Sequence, residues 1–90
     1  MTNAEYYNSL ELGLTHLQSD LASILVGSRF QDQIREFISV GEYGLALETI
    51  VSELIEGGHT IPQHVFDRIT SLAKTMQIGS DKWKAIKRGV

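Results

Sequence analysis

Three histidines, His16, His59 and His64, are the side chains in this 90-residue chain best suited to metal or proton chemistry. A helical metal site places two imidazoles on one face, about one turn apart, with further ligands nearby. Pro62 interrupts the register between His59 and His64, and His16 falls on a separate segment. His16, between Leu14 and Leu17, reads as a boundary residue of its helix, while His59 and His64 read as surface residues of a loop and a first helical turn. No metal and no cofactor are expected. The absence of cysteine removes thiolate ligands, thiol nucleophiles and disulfides together. Glu48, Glu53 and Glu56 could in principle run paired acid and base chemistry, but they fall on a solvated helix face without the apolar pocket that such work needs. The serines have no nucleophile elbow, and the glycines form neither a phosphate loop nor a dinucleotide fingerprint. Binding rather than catalysis is expected, so the chain is not read as an enzyme.

The elements that must position these residues follow from apolar spacing. Tyr6, Leu10, Leu14, Leu17, Leu21, Ile24 and Leu25 advance by threes and fours, which predicts a long first helix from about Asn3 to about Val26. Gly13 and Thr15 are the places where it would bend or divide. Gly27-Ser28 supplies a C-terminal glycine and an N-cap hydroxyl. Phe30, Ile34, Phe37 and Ile38 mark a second helix, about Arg29 to Val40. Tyr43, Leu47, Ile50, Val51 and Leu54 mark a third, about Glu42 to Glu56, closed by Gly57-Gly58. Pro62 suits the first turn of a fourth helix capped by Thr60 or Ile61, with Val65, Phe66, Ile69, Leu72, Ala73 and Met76 inward and Gly79 as its stop. Ser80-Asp81 would cap a short final helix, Lys82 to Arg88, held by Trp83 and Ile86 with its cations in water. The fold class is all-α, a single domain of residues 1–90 built as a compact bundle of four to five short antiparallel helices.

Length allows one core, burying roughly 60 to 65 per cent of the unfolded surface. The longest apolar run, Ile24-Leu25-Val26, is far below the roughly 20 residues that cross a bilayer. Met1 to Glu5 has neither a basic nor an apolar leader region, so a cytoplasmic location with no membrane partner is expected. The formal net charge of −3 is unevenly placed. The first 27 residues carry Glu5, Glu11 and Asp20 and no lysine or arginine; residues 42–56 carry Glu42, Glu48, Glu53 and Glu56, again without a cation. The basic residues gather late, in Lys82, Lys84, Lys87 and Arg88. An acidic body disfavours nucleic acid and favours a basic partner.

The corner Gly41-Glu42-Tyr43-Gly44-Leu45-Ala46-Leu47-Glu48 opens the third helix. Gly41 can take the left-handed conformation that ends a helix, and Glu42 then falls in the next first turn, where a carboxylate meets the positive end of the macrodipole. Gly44 within a helix forfeits stability relative to alanine, which predicts a backbone or large side chain packed closely over it. This octapeptide, the following Leu54, and the Ile61-Pro62 to Met76 segment resemble small helical immunity proteins of the MafI type, over roughly Phe30 to Ile78. The resemblance implies a compact inhibitor that protects a bacterium by binding a cognate polymorphic toxin domain, many of which are nucleases, as in contact-dependent growth inhibition. No family binding residue is carried over to the first helix or the basic tail.

The acid pattern points the same way by a separate route. A nuclease is basic where it holds phosphate, so a carboxylate surface can occupy that site, steer encounter and exclude substrate. Glu48, Glu53 and Glu56, with Asp20 and Glu11 of the first helix, are the expected toxin-binding residues, on a monomer or weak dimer. Two other readings use the same helices. A DNA-binding or regulatory module would take the third and fourth as a helix-turn-helix, but only Arg68 and Lys74 stand against Asp67 on the latter. A general adaptor for an amphipathic helix differs from an inhibitor only in its partner. Circular dichroism of the isolated chain should be helix-dominated and unchanged by chelator; a strand-dominated spectrum, or melting on chelation, contradicts this reading.

Overall fold

Leucine at every third or fourth position gives the first helix one apolar side, and that side organises the molecule. The computed structural model describes residues 3–25 and 28–89. Among them are four α-helices, α1 (Asn3–Asp20), α2 (Ser28–Ser39), α3 (Tyr43–Glu56) and α4 (Gln63–Thr75). Leu10, Leu14, Leu17 and Leu21 of α1 are buried in one cluster with Ile34 and Ile38 of α2, Ala46, Leu47, Ile50, Val51 and Leu54 of α3, and Val65, Phe66, Ile69, Leu72 and Ala73 of α4. No polar or charged residue is buried among the described residues. Each large apolar side chain so enclosed contributes about 1.5 to 3 kcal/mol. The chain is thus a small all-α bundle, with α2 packed chiefly on α3 and α4 chiefly on α1.

Regular α1 stops at Asp20, short of the expected Val26. The backbone winds on in tighter turns, with Ala22 N–H donating to Ser19 O at 3.2 Å and Ile24 N–H to Leu21 O at 3.0 Å. Ser19, Asp20 and Ser23 crowd this stretch, and their side chains compete for backbone groups. Leu21 and Leu25 are buried all the same. Gly13 does not divide α1. A Cβ there would lie 2.8 Å from Leu72 Cδ2, so the glycine admits a leucine of α4. The stop expected at Gly27 lies outside the described residues, as does the side chain of Ser28.

Three helices close by the same pair of backbone bonds around a residue of positive φ. At Gly41, φ 77°, Gly41 N–H donates to Ile38 O and Glu42 N–H to Phe37 O, at 3.1 and 2.8 Å. At Gly58, φ 64°, Gly58 N–H reaches Ile55 O and His59 N–H reaches Leu54 O. The third stop falls on Gln77, φ 59°, and not on Gly79 as expected, with Ile78 N–H on Ala73 O at 2.8 Å. Gln77 takes the strained position because Ile78 then turns back to pack on the core. Glu42 is the residue before α3, not in its first turn, and Ala46 N–H donates to its carbonyl.

Pro62 likewise precedes α4, with Val65 and Phe66 N–H both on its carbonyl. A residue before proline is held extended, and Ile61 accordingly lies in β1 (Thr60–Ile61), which pairs in parallel with β2 (Lys87–Arg88). The expected final helix is therefore replaced by a 3-10 turn, Ser80–Lys82, then a turn and a short extended segment. Seven residues make a marginal helix in water, whereas the extended route satisfies the backbone of the loop after α3 through bonds such as Gly89 N–H to Ile61 O, 2.8 Å. The tail does dock through Trp83 and buried Ile86. Its cations are not all left in water: the Arg88 guanidinium sits 4.1 Å from the Phe66 ring centroid. Among the described residues no helix is long and apolar enough to cross a membrane.

Left-handed backbone costs a side-chain-bearing residue about 1 to 2 kcal/mol, partly offset by glycine's larger unfolded-state entropy. Gln77→Gly should therefore raise stability by roughly 0.5 to 1 kcal/mol, read as a higher denaturant midpoint at unchanged slope. A lower midpoint would show that the Gln77 side chain compensates its backbone.

Candidate functional site

Helix α3 lays Ala46, Leu47, Ile50, Val51 and Leu54 inward, and at about 100° per residue the opposite line runs through Leu45, Ser52 and Glu56. Leu45 is 45% exposed there, beside exposed Ser52 and Glu56. Glu48 and Glu56 point within about 80° of each other, and Glu53 lies about 60° beyond Glu56 on the side of α2. All three border one open depression of about 340 Å³, whose lining includes Phe30 of α2 and Leu45. None has an ion-pair partner among the described residues.

The two acids of α1 do not join them. Asp20 faces α4, where its carboxylate lies 3.3 Å from Arg68 Nε, with the two side chains 30% and 37% exposed. The approach is an ion pair without hydrogen-bond alignment, since that buried Nε has no hydrogen-bond acceptor. Partial exposure screens such a pair to a small stabilisation, yet it cancels the charge that Asp20 was expected to present. Glu11 is nine residues away, about half a revolution round the helix. It shares its row with Tyr7, whose ring meets Tyr43, and with Gln18, whose Nε2 donates to Gln31 O and Oε1 at 3.0 and 2.8 Å. Neither Glu11 nor Asp20 borders the depression on α3.

A second hollow, about 330 Å³, opens at the Gly41 to Gly44 corner. Tyr6, Tyr7 and Tyr43, every tyrosine in the chain, gather round it with Glu42 and Glu48. Tyr6 and Tyr7 meet edge to face at 5.3 Å between centroids, and Tyr7 and Tyr43 lie tilted at 6.1 Å. Tyr6 Oη donates to Thr75 O of α4 at 3.2 Å, and Tyr7 is 50% exposed. This cluster was not read from the sequence, where Tyr6 and Tyr43 counted only as core positions. The adjacent pair Tyr6-Tyr7 was the available signal, since Tyr6 continues the stripe of Leu10 and Leu14 and Tyr7, about 100° round the helix from it, does not.

Gly44 is not where another element presses. A Cβ built on it meets nothing within 4 Å, so the close packing expected over this glycine is absent and its hydrogen faces the hollow. The close approach expected there occurs instead at Gly13. A third, smaller cavity of about 130 Å³ lies between α3 and the tail, bordered by Glu48, Ile78, Lys82 and Trp83. Trp83 stacks edge to face on Phe66, centroids 5.7 Å apart, and its buried indole N–H has no acceptor among the described residues. Glu48 borders all three spaces. Nowhere among the described residues do three or more histidines and carboxylates converge as metal ligands would.

Because open space surrounds Gly44, Gly44→Ala should stabilise the fold by about 0.5 to 1 kcal/mol, the cost of glycine in a helix, as measured by denaturant unfolding. Destabilisation would reinstate the packing role expected from the sequence.

Compared with protein-family models, curated proteins and solved structures, the chain matches none.

Proposed function

We propose that this chain is a binding inhibitor of the immunity type, which neutralises a cognate toxin domain of basic surface by covering it. The observation that carries the reading is the collection of Glu48, Glu53 and Glu56, without ion-pair partners among the described residues, around one open depression on the outward side of α3. Carboxylates free of internal pairing project their field into solvent, which speeds encounter with a cationic domain and rejects a polyanion. Leu45 and Phe30 supply apolar area to the same patch, and an interface combines such area with polar groups around it. The MafI-like corner opens this very helix, and the partner then belongs to the toxin class, a nuclease being the member best matched by acidic charge. Action is by occupancy, in the cytoplasm, on a monomer or weak dimer.

The helix-turn-helix alternative loses ground on geometry. Helix α4 packs chiefly against α1 and not α3, and its Arg68 is engaged with Asp20, leaving Lys74 as its exposed cation. A reading helix needs several basic or amide side chains free to enter a groove. The adaptor alternative shares the surface and differs in the partner.

Reversal of Glu48, Glu53 and Glu56 to lysine together should slow association with the cognate toxin domain about ten-fold or more at low salt and flatten its salt dependence, whereas reversal of Lys82, Lys84 and Lys87 should do less. Binding kinetics at two ionic strengths make the comparison. Unchanged association after the glutamate reversal moves the interface off α3, and failure to bind any such domain removes the immunity reading.

A further inference from the structure

A glycine in the first turn of α3 gives up helix stability, and no packing contact accounts for it, since a Cβ there would meet nothing within 4 Å among the described residues. What the missing side chain leaves is the floor of the tyrosine hollow. The walls are Tyr6, Tyr7 and Tyr43, and the rim carries Glu42 and Glu48. Among the described residues no lysine, arginine or histidine borders it, and neither glutamate has an ion-pair partner. It is a shallow depression of about 330 Å³, open to solvent and large enough to receive one long side chain.

We propose that this hollow takes an arginine side chain projected by a partner protein. Ring faces attract a cation through their quadrupole, and a planar guanidinium stacks on them while donating sideways to carboxylates, which an ammonium does less well. Tyr7 offers the accessible ring, half exposed and tilted against Tyr43. Glu42 and Glu48 supply the lateral acceptors. The same chemistry already operates inside the molecule, where the Arg88 guanidinium lies 4.1 Å from the Phe66 centroid. Gly44 keeps the floor low enough for the stem of the incoming side chain, and Tyr6, tied to Thr75 O, holds the wall in place. The inference deepens the reading of a basic partner and rests on it, adding an anchor point at the corner next to the acidic face.

The probe is the blocked tripeptide Gly-Arg-Gly, titrated into the full chain and followed by NMR of the tyrosine rings and the Gly44 amide, with Gly-citrulline-Gly as the uncharged match. The arginine peptide should give saturable shifts centred on Tyr7, Tyr43 and Gly44, with a dissociation constant on the order of millimolar, as one side chain allows. The citrulline peptide should bind at least about five-fold more weakly, and so should the arginine peptide against Glu42→Gln/Glu48→Gln or against Gly44→Leu, which fills the floor without meeting another atom near its Cβ. The amide spectrum away from the corner reports that each variant is folded, and a variant that loses its fold is replaced by Tyr7→Leu, an exposed position. Equal shifts from both peptides, undiminished binding to Gly44→Leu, or shifts centred on Glu53 and Glu56 with still tyrosines would each overturn the proposal. The last result leaves the acidic face as a binding surface, so the two readings fail separately.

Discussion

The row Leu10, Leu14, Leu17 and Leu21 is the surface on which the other three helices are assembled, and almost everything else follows from how they share it. A chain of this size without cysteine has only apolar burial to set against conformational entropy. Helices α2, α3 and α4 each reach α1 directly, α4 most closely at Gly13, where Leu72 enters. Three helices on one cannot all cover one another. The outward side of α3 is consequently left uncovered by any helix, and its residues are free to be chosen for what they meet outside the chain.

That freedom is used unevenly. Around α1 and α4 the charges are partly settled internally, by Asp20 with Arg68, and Arg88 is laid on Phe66. Along α3 no ion pair is found among the described residues, and Glu48 borders the acidic depression, the tyrosine hollow and the cavity beneath the tail alike. A single carboxylate thus borders all three recesses, and its charge acts on each of them through the solvent to which it is exposed.

The helices were legible because each carries its own apolar stripe, and two of their ends were legible because Gly41 and Gly58 are glycines. Gln77 gave no such sign: its positive φ is imposed by Ile78 packing on the core, a tertiary demand without a local signature. The tail was misread as a helix from the spacing of Trp83 and Ile86, although Ile61 before Pro62 already carried the extended preference that the tail answers. Within the site, Glu48, Glu53 and Glu56 could be grouped from the sequence since one helix presents them. Asp20 could not be discounted without knowing that Arg68 comes to it across the bundle, and Tyr43 could not be joined to Tyr6 and Tyr7 before α1 and α3 were placed side by side. Gly44 was correctly singled out and wrongly explained, because composition shows that a side chain is missing and only geometry shows who benefits.

The parallel pairing of Thr60–Ile61 with Lys87–Arg88 has a mechanical consequence for α4. The chain leaves the first segment, runs through α4 and returns to lie beside its own start, while Trp83 and Arg88 grip Phe66 from the helix. Helix α4 is therefore enclosed in a loop of its own making and cannot peel from α1 by fraying at one end. Its amides and that of Gly89, which is bonded to Ile61 O, should therefore open as one unit and lose protection from hydrogen exchange together.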